Sequence, residues 1–69
     1  MTLYFYDFSE YAGTVEFDSE DYETEFTAYV DECYDGEADE WNEDAIRASA
    51  EEQAKAHFGA DTIVIWEAR

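Results

Sequence analysis

The alternation of apolar and polar side chains divides this chain into segments of two different periods. Leu3–Phe8 (Leu-Tyr-Phe-Tyr-Asp-Phe) is dense in strand formers and apolar on both alternating faces, which predicts a central strand. Ser9–Gly13 has the composition of a hairpin loop, with Gly13 able to take a positive φ. Thr14–Asp18 then alternates strictly, with Val15 and Phe17 on one face and Thr14, Glu16 and Asp18 on the other. That pattern predicts a half-buried edge strand whose outer face is anionic.

From Ser19 the period changes. Tyr22, Phe26, Tyr29, Val30 and Cys33 recur at helical spacing, with Glu20, Glu23, Thr27 and Asp31 on the opposite side. Ser19 is a good N-cap, Glu20 and Asp21 sit where the helix dipole favours negative charge, and Gly36 supplies a stop. A helix is the favoured reading. A strand over Phe26–Cys33 is the rival, because Thr, Tyr and Val are poor helix formers.

Asp35–Glu40 is an acidic connection, and a second helical region runs from about Asn42 to Phe58. It turns Trp41, Ala45, Ile46, Ala50, Ala54 and Phe58 inward and ends at Gly59. Ser49 and Glu52 form a capping-box pattern, so a fresh helix can start at Ser49, with Glu43–Ala48 a separate short helix or a strand. Thr62–Glu67 is the plainest strand in the chain. The element order predicts a single α+β domain over residues 1–69, arranged ββααβ. Its small antiparallel sheet has three strands in the order 2-1-3, with two or three helices packed on one face. One helical layer leaves the other sheet face open, so some of Tyr4, Tyr6, Phe8, Val64 and Trp66 should stay partly exposed. Tolerant tyrosine hydroxyls explain that exposure, or else an aromatic contact patch does.

Composition decides between a folded and a disordered chain. The apolar share is 46%, too high for the disorder that strong charge alone would suggest. Thirteen of the 69 residues are Phe, Tyr or Trp, each able to bury roughly 150–250 Å². They compensate for a single cysteine, Cys33, that cannot form an internal disulfide and is read as core. The lone cysteine suits a reducing compartment. The sequence holds no apolar run of membrane-spanning length and no basic leader.

Charge dominates the remaining picture. The net charge is −17, and Glu16–Asp44 holds 14 carboxylates in 29 residues with no lysine, arginine or histidine. Self-repulsion of that size opposes compaction while keeping the chain soluble and monomeric. A folded chain of this mass exposes roughly 4,400 Å², or about one net charge per 260 Å². Double-stranded DNA carries roughly one per 110 Å². Massing the acids on one side brings the two densities close together.

Catalytic chemistry finds no pattern to rest on. His57 is the sole histidine and falls near a helix C-terminus, and Ser9, Ser19 and Ser49 have loop or cap roles. No glycine-rich phosphate loop or Cys/His cluster occurs. Asp31-x-Cys33-x-Asp35-Gly36 through Asn42 echoes a calcium loop, but cysteine at its third position and asparagine at its twelfth depart from that pattern. No catalytic residue, metal or cofactor is assigned.

In size, charge and acid/aromatic composition the whole chain resembles the small acidic DNA-mimic inhibitors encoded by phages and mobile elements. That class includes anti-restriction proteins, the uracil-DNA glycosylase inhibitor and several anti-CRISPR proteins. It looks most like an anti-CRISPR protein that fills the DNA-binding or PAM-reading cleft of a type I surveillance complex. The resemblance implies a monomer in the cytoplasm of a bacterial or archaeal host cell, binding neither nucleic acid nor membrane. Its partner would be the basic DNA-binding surface of a host defence complex. The expected contact acids are Glu20, Glu23, Asp31, Asp35, Glu37, Asp39, Glu40, Glu43 and Asp44. Three other classes stay open: an inhibitor or antitoxin of a basic enzyme that does not handle nucleic acid, a halophile-adapted acidic accessory domain without mimicry, and an accessory protein of no defined activity whose acidic surface is simply solvated.

Overall fold

In the computed structural model, which describes residues 1–67, the chain is α+β: a mixed four-stranded sheet carries one helix on one face. Strand β1 (Thr2–Ser9) pairs antiparallel with β2 (Thr14–Ser19), and β2 pairs antiparallel with β3 (Glu25–Tyr29). After a short 3-10 turn at Asp31–Cys33, strands β4 (Tyr34–Asp35) and β5 (Glu40–Trp41) form a separate small hairpin. Helix α1 (Glu43–Phe58) follows, and β6 (Ile63–Ile65) closes the sheet in the order β3-β2-β1-β6.

Several expectations are corrected here. The neighbours β2, β1 and the last strand stand in the predicted order, but the sheet has a fourth strand, and β6 runs parallel to β1 rather than antiparallel. The helix predicted from Ser19 to Gly36 does not form, and the rival strand reading is the closer one. Phe26, Ala28 and Val30 alternate inward, with Ala28 and Val30 fully buried, while Tyr29 points out and is 63% exposed. Phe26 and Val30 satisfy both a helical stripe and a strand alternation, and the small Ala28 hid the latter. Strand β2 is therefore internal rather than an edge.

The residues read as a helix cap build a turn instead. Ser19 Oγ accepts from Thr24 N at 3.0 Å and donates to Asp21 Oδ1 at 2.7 Å, and Asp21 Oδ1 also accepts from Glu23 N. A short polar side chain that caps helices offers the same hydrogen bond to a turn. Tyr22 takes a φ of 62°, the left-handed conformation a glycine would advertise in sequence. Gly36 lies in the β4–β5 hairpin rather than at a helix end.

The second helical region stands as one uninterrupted helix, so neither a fresh start at Ser49 nor a separate element over Glu43–Ala48 occurs. Asn42 caps it through Oδ1, which accepts from Ala45 N at 3.1 Å, and Gly59 ends it. Ser49 instead donates to Glu32 Oε1 and accepts from Gln53 Nε2. Ile46, Ala50 and Ala54 pack on Leu3, Val15, Phe17, Ala28 and Val30, with Cys33 also buried as expected. Aromatic rings thicken this thin core: Trp66 lies 5.3 Å from Phe17 and 5.7 Å from Phe5, and its Nε1 donates to Glu51 Oε1.

Along β1 a register shift between Phe5 and Asp7 inserts Tyr6 as an extra residue. The bulge keeps Leu3, Phe5 and Phe8 on the helix side while sending Tyr4 and Asp7 to the other, which turns a run apolar on both parities into a one-sided strand. Gln53 closes the outer edge of β3: its side-chain amide accepts from Tyr29 N at 2.9 Å and donates to Tyr29 O at 2.8 Å. No helix among the described residues is long and apolar enough to cross a membrane.

Candidate functional site

With α1 on one face, the other face of the sheet is left to solvent, and its occupants follow from the register. Glu16 and Asp18 alternate with the core residues Val15 and Phe17, so both face away from the helix. Asp7 stands opposite Glu16, Asp18 opposite Glu25, Tyr4 opposite Asp18 and Glu16 opposite Thr27. Four of these six adjoining positions on three strands are therefore carboxylates. At about 6.8 Å between same-face residues and about 4.8 Å between strands, the six positions cover roughly 200 Å². The local density is about one charge per 50 Å², above the roughly one per 110 Å² of duplex DNA.

Two pairs within this patch set like charges directly across a ladder, Asp7 with Glu16 and Asp18 with Glu25. A third, Asp35 with Glu40, stands in the β4–β5 hairpin. Each such pair destabilises a sheet by roughly 0.2–1 kcal/mol. Charges of the opposite sign are kept elsewhere: among the described residues, every lysine, arginine and histidine lies on α1, as Arg47, Lys55 and His57. Arg47 is stacked over Trp66, 5.7 Å from the ring centroid.

Tyr6, lifted by the bulge, bonds to Glu16 within the patch. Partial burial, that hydrogen bond and the charges of Glu16, Glu25 and Asp18 push its phenol up to about 12. Burial is the largest of these causes, and the surrounding carboxylates add to it in the same direction. The folded value exceeds the ordinary 10.0, so this group's stabilisation is complete below pH 10 and is lost as pH rises towards 12. An ultraviolet titration at low ionic strength should show a tyrosine transition near pH 12 that Tyr6→Phe lacks and that Glu16→Gln/Asp18→Asn returns towards the ordinary range. A Tyr6→Phe curve identical to that of the wild type would refute this placement.

The acids expected at the contact surface divide into two sets. Asp31 in the 3-10 turn, Asp35, Glu37, Asp39 and Glu40 in the β4–β5 hairpin, and Glu43 and Asp44 in the first turn of α1 gather at one end of the sheet. Val30 N donates to Gly13 O there, and Gly13, at φ 65° as its sequence position foretold, leaves no room for a Cβ beside the Asp31 carboxylate. Asp35 Oδ1 accepts from Glu37 N and Ala38 N, and Asp39 accepts from the Tyr34 hydroxyl, a bond that raises the Tyr34 phenol above its usual range. Glu20 and Glu23 lie at the opposite end, in the β2–β3 turn beside Met1 and Thr2. A strand of six residues, about 17 Å, separates the two sets.

The four carboxylates of the open face were not among the expected contacts. The strict alternation of Thr14–Asp18 already placed Glu16 and Asp18 outward. Extending the strand reading over Glu25–Tyr29 would have set Glu25 beside them. The segment that echoes a calcium loop forms the 3-10 turn and the small hairpin, and among the described residues no three His, Cys, Asp or Glu groups converge to hold a metal. No protein-family model, curated protein or solved structure matches the chain.

Proposed function

We propose that this chain is a DNA-mimic inhibitor, an acidic domain that occupies the basic DNA-binding surface of a nucleic-acid-handling defence complex or enzyme of the kind that anti-CRISPR and anti-restriction proteins block. The observation that carries the reading is the set of three like-charge cross-strand pairs, two of them on the open sheet face. In a domain whose core supplies about 3–5 kcal/mol, three repulsive pairs work against folding, and the bonds that Asp35 makes to its turn and Glu16 to Tyr6 do not require a second acid opposite either one. Their use lies outside the molecule: Arg and Lys side chains that grip phosphates meet carboxylates at a DNA-like density, and the long-range field speeds the encounter. Tyr6 and Tyr4 within the patch supply short-range fit that a purely ionic surface lacks. The target belongs to the cytoplasm of a bacterial or archaeal cell, with the PAM-reading subunit of a type I CRISPR complex as the leading candidate, and the inhibitor acts as a monomer without catalysis.

Capture of host proteins on the immobilised chain, eluted by a salt gradient and identified by mass spectrometry, tests this. The expected result is one nucleic-acid-handling complex, released at moderate salt and displaced by added duplex DNA. Recovery of a basic enzyme that DNA does not displace would favour an inhibitor of another class. A chain that unfolds at physiological ionic strength and needs molar salt to fold would favour halophilic adaptation.

A further inference from the structure

A second surface lies away from the open face, where β6 is too short to cover β1. Its three residues pair with Thr2, Leu3 and Tyr4, so among the described residues Phe5–Ser9 of β1 have no strand neighbour on that side. Below this edge is an open cleft of about 780 Å³ between β1, the β4–β5 hairpin and the first half of α1. That volume is within the range of pockets that take organic side chains. One wall is Phe8 and Tyr34 packed edge-on against Trp41 at 5.3 and 5.2 Å, and the other is Phe5 against Trp66. Glu10, Asp39, Glu40 and Glu43 stand around it with a single base, Arg47, which is engaged on Trp66.

We infer that this edge and cleft bind an extended basic segment of a partner protein. The segment adds as a strand beside Phe5–Ser9, sets an apolar side chain between the two aromatic walls and places Lys or Arg against the surrounding acids. Three features point to this occupant. Beyond the bulge at Tyr6, Asp7–Ser9 of β1 offer main-chain donors and acceptors past the end of the described β6 pairing, the arrangement used in recognition by strand addition. The aromatic walls favour one apolar anchor. Four acids against one base select a cationic chain and repel a second copy of this protein, which carries −17 itself.

Both tryptophans of the chain line the cleft, so their emission reports its occupancy directly. The probe is the alternating peptide acetyl-Lys-Leu-Lys-Val-Lys-Leu-amide, titrated at physiological salt. A saturable shift in tryptophan emission is expected, together with slower hydrogen exchange of amides within Phe5–Ser9. Methylating alternate backbone nitrogens of the peptide should weaken binding at least tenfold, as should the variant Glu40→Lys/Glu43→Lys, its fold verified by circular dichroism. Equal binding of hexalysine or of the methylated peptide would overturn strand addition in favour of mere charge. Emission that changes with protein concentration alone would assign the edge to a second copy and overturn the proposal as well. Neutralising the open-face carboxylates should leave peptide binding unchanged, so failure here is distinguishable from failure of the mimic reading.

Discussion

Phe17→Ala is expected to leave little folded protein at 25 °C. Phe17 is fully buried at the centre of β2, and its ring meets Trp66 at 5.3 Å, Phe26 at 6.3 Å and Phe5 at 6.4 Å. Truncating such a phenylalanine removes about 3–5 kcal/mol. A core in a domain of this size supplies about the same amount, so the substitution consumes the whole margin. There is no second layer to take up the loss, because only one helix covers the sheet and its inward residues include the small Ala50 and Ala54. Thermal unfolding followed by circular dichroism should therefore lose its cooperative step. The contrasting Tyr11→Ala, at a fully exposed loop position, should shift stability by no more than about 0.5 kcal/mol. A Phe17→Ala protein melting within a few degrees of the wild type would show that the core lies elsewhere.

Neutralising the open face should move stability and binding in opposite directions. The variant Asp7→Asn/Glu16→Gln/Asp18→Asn/Glu25→Gln keeps side-chain shape, dissolves two like-charge cross-strand pairs and takes the net charge from −17 to −13. Relief of roughly 0.2–1 kcal/mol per pair predicts a more stable protein. The midpoint should rise by about 4–8 °C for each kcal/mol gained. The affinity for the captured partner should nonetheless fall about a hundredfold at low salt, equivalent to about 2.7 kcal/mol. Repulsion also predicts that added salt stabilises the wild type more than this variant. Calorimetry and a binding titration on the same preparation measure both quantities. A variant that is more stable and binds undiminished would leave the acids of the open face without a role in the interaction. A variant that is less stable would mean the pairs are not repulsive as placed.

The parts of this fold that follow from one-dimensional pattern are those where a single period is possible. Thr14–Asp18 could only alternate, and α1 has both an Asn42 cap and a Gly59 stop. The stretch from Ser19 to Gly36 was ambiguous for physical reasons. Phe26 and Val30 fit two periods at once, and the Ser19/Asp21 hydrogen bonds serve a turn as well as a cap. The left-handed residue of that turn is a tyrosine rather than a glycine. The parallel pairing of β6 depends on α1 carrying the chain back along the sheet, a tertiary matter that no local signal announces. The candidate site was legible as charge but not as place. Excess carboxylate makes every acid look alike, and only the register of β2 against β1 and β3 reveals which ones stand opposite each other.

The side-chain amide of Gln53 that clasps Tyr29 bears on how this chain behaves outside its working conditions. At neutral pH two guards protect the outer margin of β3, the clasp at Tyr29 and the charge of Glu25. Neutralising Glu25 and its neighbours on the open face by substitution removes the second guard and part of the general repulsion with it. Only one glutamine would then stand between this margin and edge-to-edge ribbon growth into fibrils, which makes the neutralised variant the form in which aggregation should first appear.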